Sequence, residues 1–83
     1  MTQDEVDKLV AANVRSARAR IRMRQEDLAD ELDWARATVG ALENGSRRVT
    51  LADALALCAA LKIDLRELLR GAPAEVFQTF GLE

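Results

Sequence analysis

The sequence predicts a small all-α domain of five helices closed by a short C-terminal tail. Its 83 residues are 49% apolar but only 4% aromatic, with four Gly and one Pro, a mixture that favours helix over strand and over disorder. Apolar residues recur at three- and four-residue spacings and do not alternate. Thr or Asp followed three residues later by an acid also marks several helix starts. A chain this short holds one core, so it is read as one domain.

Val10, Val14, Ala17 and Ile21 define a first helix from Gln3 to about Arg22, started by Thr2 with Glu5. Gln25 to Leu32 forms a second helix of about two turns, with Leu28, Ala29 and Leu32 on one face and Asp27 in its first turn. After a break at Asp33, Trp34 and Ala35, a third helix from Arg36 to Asn44 turns Val39 and Leu42 inward and stops at Asn44-Gly45. Beyond the basic loop Ser46-Arg47-Arg48, Thr50 and Asp53 cap a fourth helix whose apolar stripe is Leu51, Ala54, Leu55, Cys58 and Leu61. Asp64 and Glu67 open a short fifth helix with Leu65, Leu68 and Leu69, ended by Gly71. The domain is thus residues 1–71. In the tail, 72–83, Pro73 begins a last turn holding Val76 and Phe77, and Leu82-Glu83 has the look of a cloning scar.

The net charge of −2 counts against a nucleic-acid partner, but the charges are segregated. Arg15 to Arg24 holds five Arg and no acid, whereas Gln25 to Asp33 holds five acids and no base, so one surface can be positive while the total is negative. The single Cys58 excludes an internal disulfide framework, and no apolar run of about 18 residues is present, so neither a membrane partner nor a signal peptide is expected and the chain reads as cytoplasmic. Catalysis finds no support: there is no His or Tyr, Ser16 and Ser46 are the sole serines, and Cys58 sits on an apolar stripe where a thiol is inert. No metal-ligand cluster is seen, and the carboxylates of the second helix read as a solvated face. No enzyme activity, cofactor or metal is expected.

The outward face of the third helix carries Arg36, Ala37, Gly40, Ala41 and Asn44. Ordinary solvated faces carry Glu and Lys; this one is small and uncharged apart from one Arg. Two readings stand at this level: a surface shaped for close approach to a phosphate-bearing partner, or an Ala-biased helix with no further role.

The segment Gln25-Glu26-Asp27-Leu28-Ala29-Asp30-Glu31-Leu32, a three-residue turn, then Arg36-Ala37-Thr38-Val39-Gly40-Ala41-Leu42-Glu43-Asn44-Gly45 resembles the helix-turn-helix of the lambda-repressor-like superfamily and its XRE-type regulators. The likeness continues through Leu51, Leu55, Leu61, Ile63, Asp64 and Leu68-Leu69, covering about residues 14 to 70. It implies a third helix lying in the major groove of double-stranded DNA. Base contacts then fall to Arg36, Ala37, Thr38 and Ala41, and phosphate contacts to Gln25 and Asn44, joined by Arg47 and Arg48. The resemblance also implies an ion pair between Arg18 and Glu43, and a homodimer acting as a repressor in a bacterial or phage nucleoid. The rival reading on the same fold is a protein-interaction module, such as the antitoxin of a toxin–antitoxin pair. For Phe77, with Val76 and Phe80, a dimer contact and a return onto its own core are both open. Three residues depart from the family pattern: Asp33 stands in place of Gly and must take a positive φ, Trp34 replaces a small aliphatic residue, and Ala35 replaces the usual capping Ser or Thr.

Overall fold

In the computed structural model, which describes residues 1–82, six helices follow one another: α1 (Gln3–Arg20), α2 (Gln25–Leu32), α3 (Arg36–Glu43), α4 (Leu51–Leu61), α5 (Leu65–Leu68) and α6 (Ala74–Thr79). Glu83, half of the suspected scar, lies outside the described residues. Polar residues fix most of the starts. The Thr2 hydroxyl accepts the Glu5 amide at 3.2 Å while the Glu5 carboxylate accepts the Thr2 amide at 2.8 Å. Thr50 and Asp53 make the same reciprocal pair at 3.0 and 3.1 Å, and Asp64 accepts the Glu67 amide at 2.8 Å. At α2 half of the device survives. Arg24 offers no acceptor, but Asp27 accepts the Arg24 amide at 2.9 Å. Ala35 gives α3 no capping side chain at all.

The turn between α2 and α3 is left-handed at Asp33, φ 55° and ψ 41°, and the following Trp34 amide donates back to the Ala29 carbonyl at 2.9 Å. That bond closes the end of α2. The third helix ends one residue earlier than the sequence reading put it, at Glu43, and two larger differences stand beside this. The first helix ends at Arg20, because Arg22 turns left-handed at φ 55° and the Met23 amide bonds back to Arg18, which leaves Ile21 exposed. The tail forms a sixth helix, since Pro73 supplies a preset φ of −58° at its N-cap and leaves no amide stranded there.

Val10, Val14, Leu28, Val39, Leu42, Leu57 and Leu68 are the fully buried large side chains, drawn from every helix but α6. α1 packs against α3, α4 and α5, while α2 packs against α3 and α4. The inward face of α4 also differs from the expected one. Leu51 and Leu55 are 67% and 68% exposed, whereas Leu57 and Leu61 are buried, with Ala54 and Cys58 half-buried beside them. The helix is apolar almost all round, so spacing alone could not choose its face. The buried Asp53 carboxylate, tied to Thr50 and to Arg47, turns the row Ala54, Leu57, Cys58 and Leu61 onto the core.

Glu43, the last residue of α3, is 4% exposed and accepts a forked pair of bonds from Arg18 of α1, at 2.7 and 3.0 Å. Arg18 also donates to the Met23 carbonyl at 2.8 Å, and Gln25 of α2 donates to Glu43 at 3.1 Å. Three helices therefore meet on one carboxylate. Glu43→Ala is expected to lose about 3 to 5 kcal/mol, because it strands the Arg18 guanidinium, and to lower the Tm by at least about 10 °C. Thermal unfolding followed by circular dichroism measures this, and an unchanged Tm would refute it.

Candidate nucleic-acid interface

Because Val39, Leu42 and Glu43 bury one side of α3, its other side is presented outward. Arg36, Ala37 and Asn44 are exposed, and Thr38, Gly40 and Ala41 are half-buried. A Cβ placed on Gly40 would meet nothing within 4 Å, so the glycine leaves open space on this face and fills no packing constraint. Gln25, Arg36, Ala37 and Gly40 line one shallow cleft; Arg18, Arg24, Gln25, Glu26 and Arg36 line a second. Among the described residues the one carboxylate in either lining, Glu26, is paired with Arg24 at 3.0 Å. Guanidinium, carboxamide and methyl groups are the chemistry offered, suited to the edges of bases and to phosphate oxygens.

Gln25 connects the buried network to this face. Its amide nitrogen is held by Glu43, and its carbonyl oxygen stands 3.5 Å from an Arg36 nitrogen, at the limit of a hydrogen bond. Asn44 folds its carbonyl oxygen onto the Ser46 amide at 2.9 Å, stabilising the loop after α3. The amides of Ser46 and Arg47 both donate to the Ala41 carbonyl, at 3.1 and 3.2 Å, which wraps the loop against the end of the helix. The Arg47 guanidinium lies 4.5 Å from the Trp34 ring centre and binds the Asp53 carboxylate through two bonds of 3.1 and 3.2 Å. Arg48 is exposed.

Ion pairing sorts the cations. Arg18 is taken by Glu43, Arg20 by Glu67, Arg24 by Glu26 and Asp27, and Arg47 by Asp53. Lys8, Arg15, Arg22, Arg36, Arg48, Lys62 and Arg66 have no ion-pair partner within 4 Å among the described residues, and of these Arg36 lies on the outer face of α3 and Arg48 in the loop after it, where their charge is available to an incoming anion. Hydrogen bonds from the Arg24 side chain and amide hold the Asp27 carboxyl below the usual range. Burial pushes the Asp53 carboxyl up, but the bonds from Arg47 and Thr50 outweigh it and the net shift is downward. Burial, with a smaller push from Asp64, raises the Cys58 thiol and keeps it protonated and unreactive at neutral pH.

Three supporting residues were passed over by the sequence reading, and two of them, Asp7 and Asn13, share one signature, a polar side chain beside the apolar stripe of α1. Asp7, three residues before Val10, is buried and accepts the Val49 backbone amide at 2.8 Å and the Gln3 side-chain amide at 2.7 Å, anchoring the approach to α4. Arg15, one turn before Arg18, donates to the Glu43 carbonyl at the end of α3. Asn13 bridges the Leu68 and Arg70 carbonyls at 2.7 and 2.9 Å, tying α1 to the end of α5.

Residues 14–68 match a family model described as helix-turn-helix, about two thirds of the chain. The fold is similar to the crystal structure of the hypothetical transcription factor NHTF from Neisseria, with a TM-score of 0.74 and 24% identity over 96% of this chain and 90% of that one. No curated protein matches the chain.

Because the folded Asp53 pKa lies below its unfolded value, this carboxylate contributes stability that is complete above the unfolded value and is lost as pH falls through the folded one. Parent protein is therefore expected to be more stable than Asp53→Asn at neutral pH, with the gap shrinking below about pH 4 as the parent carboxyl takes up its proton. Denaturant unfolding of both proteins across that range checks the sign; a gap that does not vary with pH would contradict it.

Proposed function

The chain belongs to the helix-turn-helix family, and from that premise we propose that it is a sequence-specific double-stranded DNA-binding regulator, a repressor acting as a homodimer with α3 in the major groove. The observation that carries this reading is the outer face of α3, where an unpaired Arg36 stands beside Ala37 and the open space at Gly40, with no unpaired carboxylate in the adjoining clefts. Arg36 is assigned to a guanine edge, which a guanidinium grips through O6 and N7. Ala37, Thr38 and Ala41 approach neighbouring bases, the alanines by methyl contact alone, so discrimination rests chiefly on Arg36. Gln25, Asn44 and Arg48 are assigned to phosphates, which position the helix without reading sequence. The same reading makes the bacterial or phage-infected cytoplasm, at the nucleoid, the place of action, and requires neither catalytic activity nor cofactor.

A second copy is assigned to the exposed side of α4. Leu51, Ala52, Leu55 and Ala59 are all exposed there, the helix's one charged residue, Asp53, is buried, and exposed Phe80 borders the same apolar groove as Leu51. Identical chains bring identical charges to a two-fold axis, so an uncharged face is where this acidic protein can meet itself without repulsion. Val76 and Phe77 pack back on the core, leaving Phe80 as the tail's contribution.

Arg36→Ala is expected to weaken binding to a duplex selected from a random pool by about 1 to 3 kcal/mol and to relax preference at one base pair of each half-site. Arg48→Ala should weaken all duplexes alike and reduce the slope of log affinity against log salt by about 1 per lost phosphate contact. Binding measured at several salt concentrations, on the selected site and its single-base changes, tests both. An Arg36 variant with full affinity and unchanged preferences overturns the assignment, and a tightly copurifying protein with only micromolar DNA binding would favour the antitoxin reading. Leu55→Glu should give a monomer that binds the site far more weakly than the parent. In sedimentation, a parent that is already monomeric at high micromolar concentration would defeat the dimer assignment.

A further inference from the structure

The recognition helix begins without a cap: Ala35 offers no acceptor and the first turn holds no acid. A capping side chain ordinarily fixes where a helix starts, so some other contact must hold the entry of α3. The residues that flank α3 meet across it. Trp34 stands two positions before its start and Arg47 four positions after its end, yet the guanidinium of one lies 4.5 Å from the ring centre of the other. For a helix roughly 12 Å long, that contact closes the segment into a loop.

Both partners are themselves anchored. The Trp34 amide is bonded to Ala29 of α2, the Arg47 amide is bonded to Ala41 of α3, and the Arg47 side chain is held by a forked pair to Asp53 in the first turn of α4. Asp53 is buried, and its other bond, to the Thr50 amide, fixes it to the start of α4. Geometry therefore runs from the α4 start through Asp53 and Arg47 to the indole that precedes α3. Arg47 sets its guanidinium carbon over the Trp34 ring while its Nε and Nη2 donate to the two Asp53 oxygens, a combination that a Lys ammonium cannot reproduce.

We infer that Arg47 is a positioning residue, which with Trp34 and Asp53 staples the uncapped start of α3 to α4 and so sets the angle of the recognition helix, and that its effect on DNA passes through this staple and not through a phosphate. The consequence at an operator rests on the DNA-binding reading above; the staple itself does not.

Trp34 is the chain's only tryptophan, so its fluorescence reports the staple with no DNA present. Arg47→Ala and Arg47→Lys are compared with the parent, each checked by circular dichroism for retained helix. Both are expected to shift Trp34 emission to the red and to increase acrylamide quenching, as the ring loses its cover. On the selected duplex both should lower affinity by about threefold to tenfold, with the loss concentrated on the specific site and the salt slope unchanged. Trp34→Leu, or Trp34→Phe if the former does not fold, should lose a similar factor, and the double variant with Arg47→Ala should lose no more than either single one.

Full retention of the parent's emission and affinity by Arg47→Lys overturns the inference. So does a reduced salt slope in Arg47→Ala together with parent-like binding by the Trp34 variant, which is the signature of a phosphate contact. If the parent binds no duplex from the pool, the DNA-binding reading falls, and the staple is then judged on emission and quenching alone, where no change on Arg47→Ala refutes it.

Discussion

The Glu43 carboxylate sits where α1, α2 and α3 converge, and the arrangement of those helices depends on its being matched. A buried carboxylate without partners would cost several kcal/mol. Here Arg18 supplies a forked pair, Gln25 adds a third donor, and Arg15 takes the carbonyl at the same residue. Such a site accepts few alternatives, because the guanidinium fork fixes direction as well as distance. A slide of α3 along its axis by one residue would rotate Glu43 off Arg18 and bring Leu42 out of the core. The polar cluster therefore specifies the register of α3, whereas Val39 and Leu42, buried beside it, would tolerate other hydrophobic arrangements.

From that centre the constraint passes outward. Gln25 shares its two polar atoms between Glu43 and the neighbourhood of Arg36, so the first residue of α3 is related to the last through α2. At the opposite end of the motif the loop after α3 is bonded to Ala41 and closed by Asn44 on Ser46. Backbone donors that a mobile loop would leave to water are thus satisfied within the protein. The outer face of α3 is tied at both ends by bonds within the protein.

Most of this organisation was legible in the residues. Asp33 stands where the family resemblance puts a Gly, which implied a left-handed residue, and it is one, at φ 55°. Thr2, Thr50 and Asp64 announced their helices through acids three residues on. What spacing could not decide was the rotation of α4, where leucines and alanines occupy every side and a buried acid chooses the face. Arg47 was ambiguous for a related reason. A basic loop beside a recognition helix reads as a phosphate contact, and its partner Asp53 looked fully used as a cap, yet one carboxylate serves both the Thr50 amide and the guanidinium. Pairings between residues that each have a sufficient local role are invisible to periodicity.

The negative total charge bears on how such a domain would meet DNA. Arg18, Arg20, Arg24 and Arg47 are neutralised by acids within the fold, and Asp30, Glu31 and Asp33 remain exposed on α2 and its turn. Long-range attraction to a duplex is then weak, since it follows the summed field and not the local one. The low summed charge, and not a shortage of unpaired cations, is what would keep non-specific affinity low. Discrimination between sites is the ratio of specific to non-specific binding, and lowering the second raises the ratio as surely as strengthening the first. On the DNA-binding reading proposed above, a face with one reading arginine and two alanines can in this way be selective without being strong, provided that two copies act together and each holds its helix at a fixed angle.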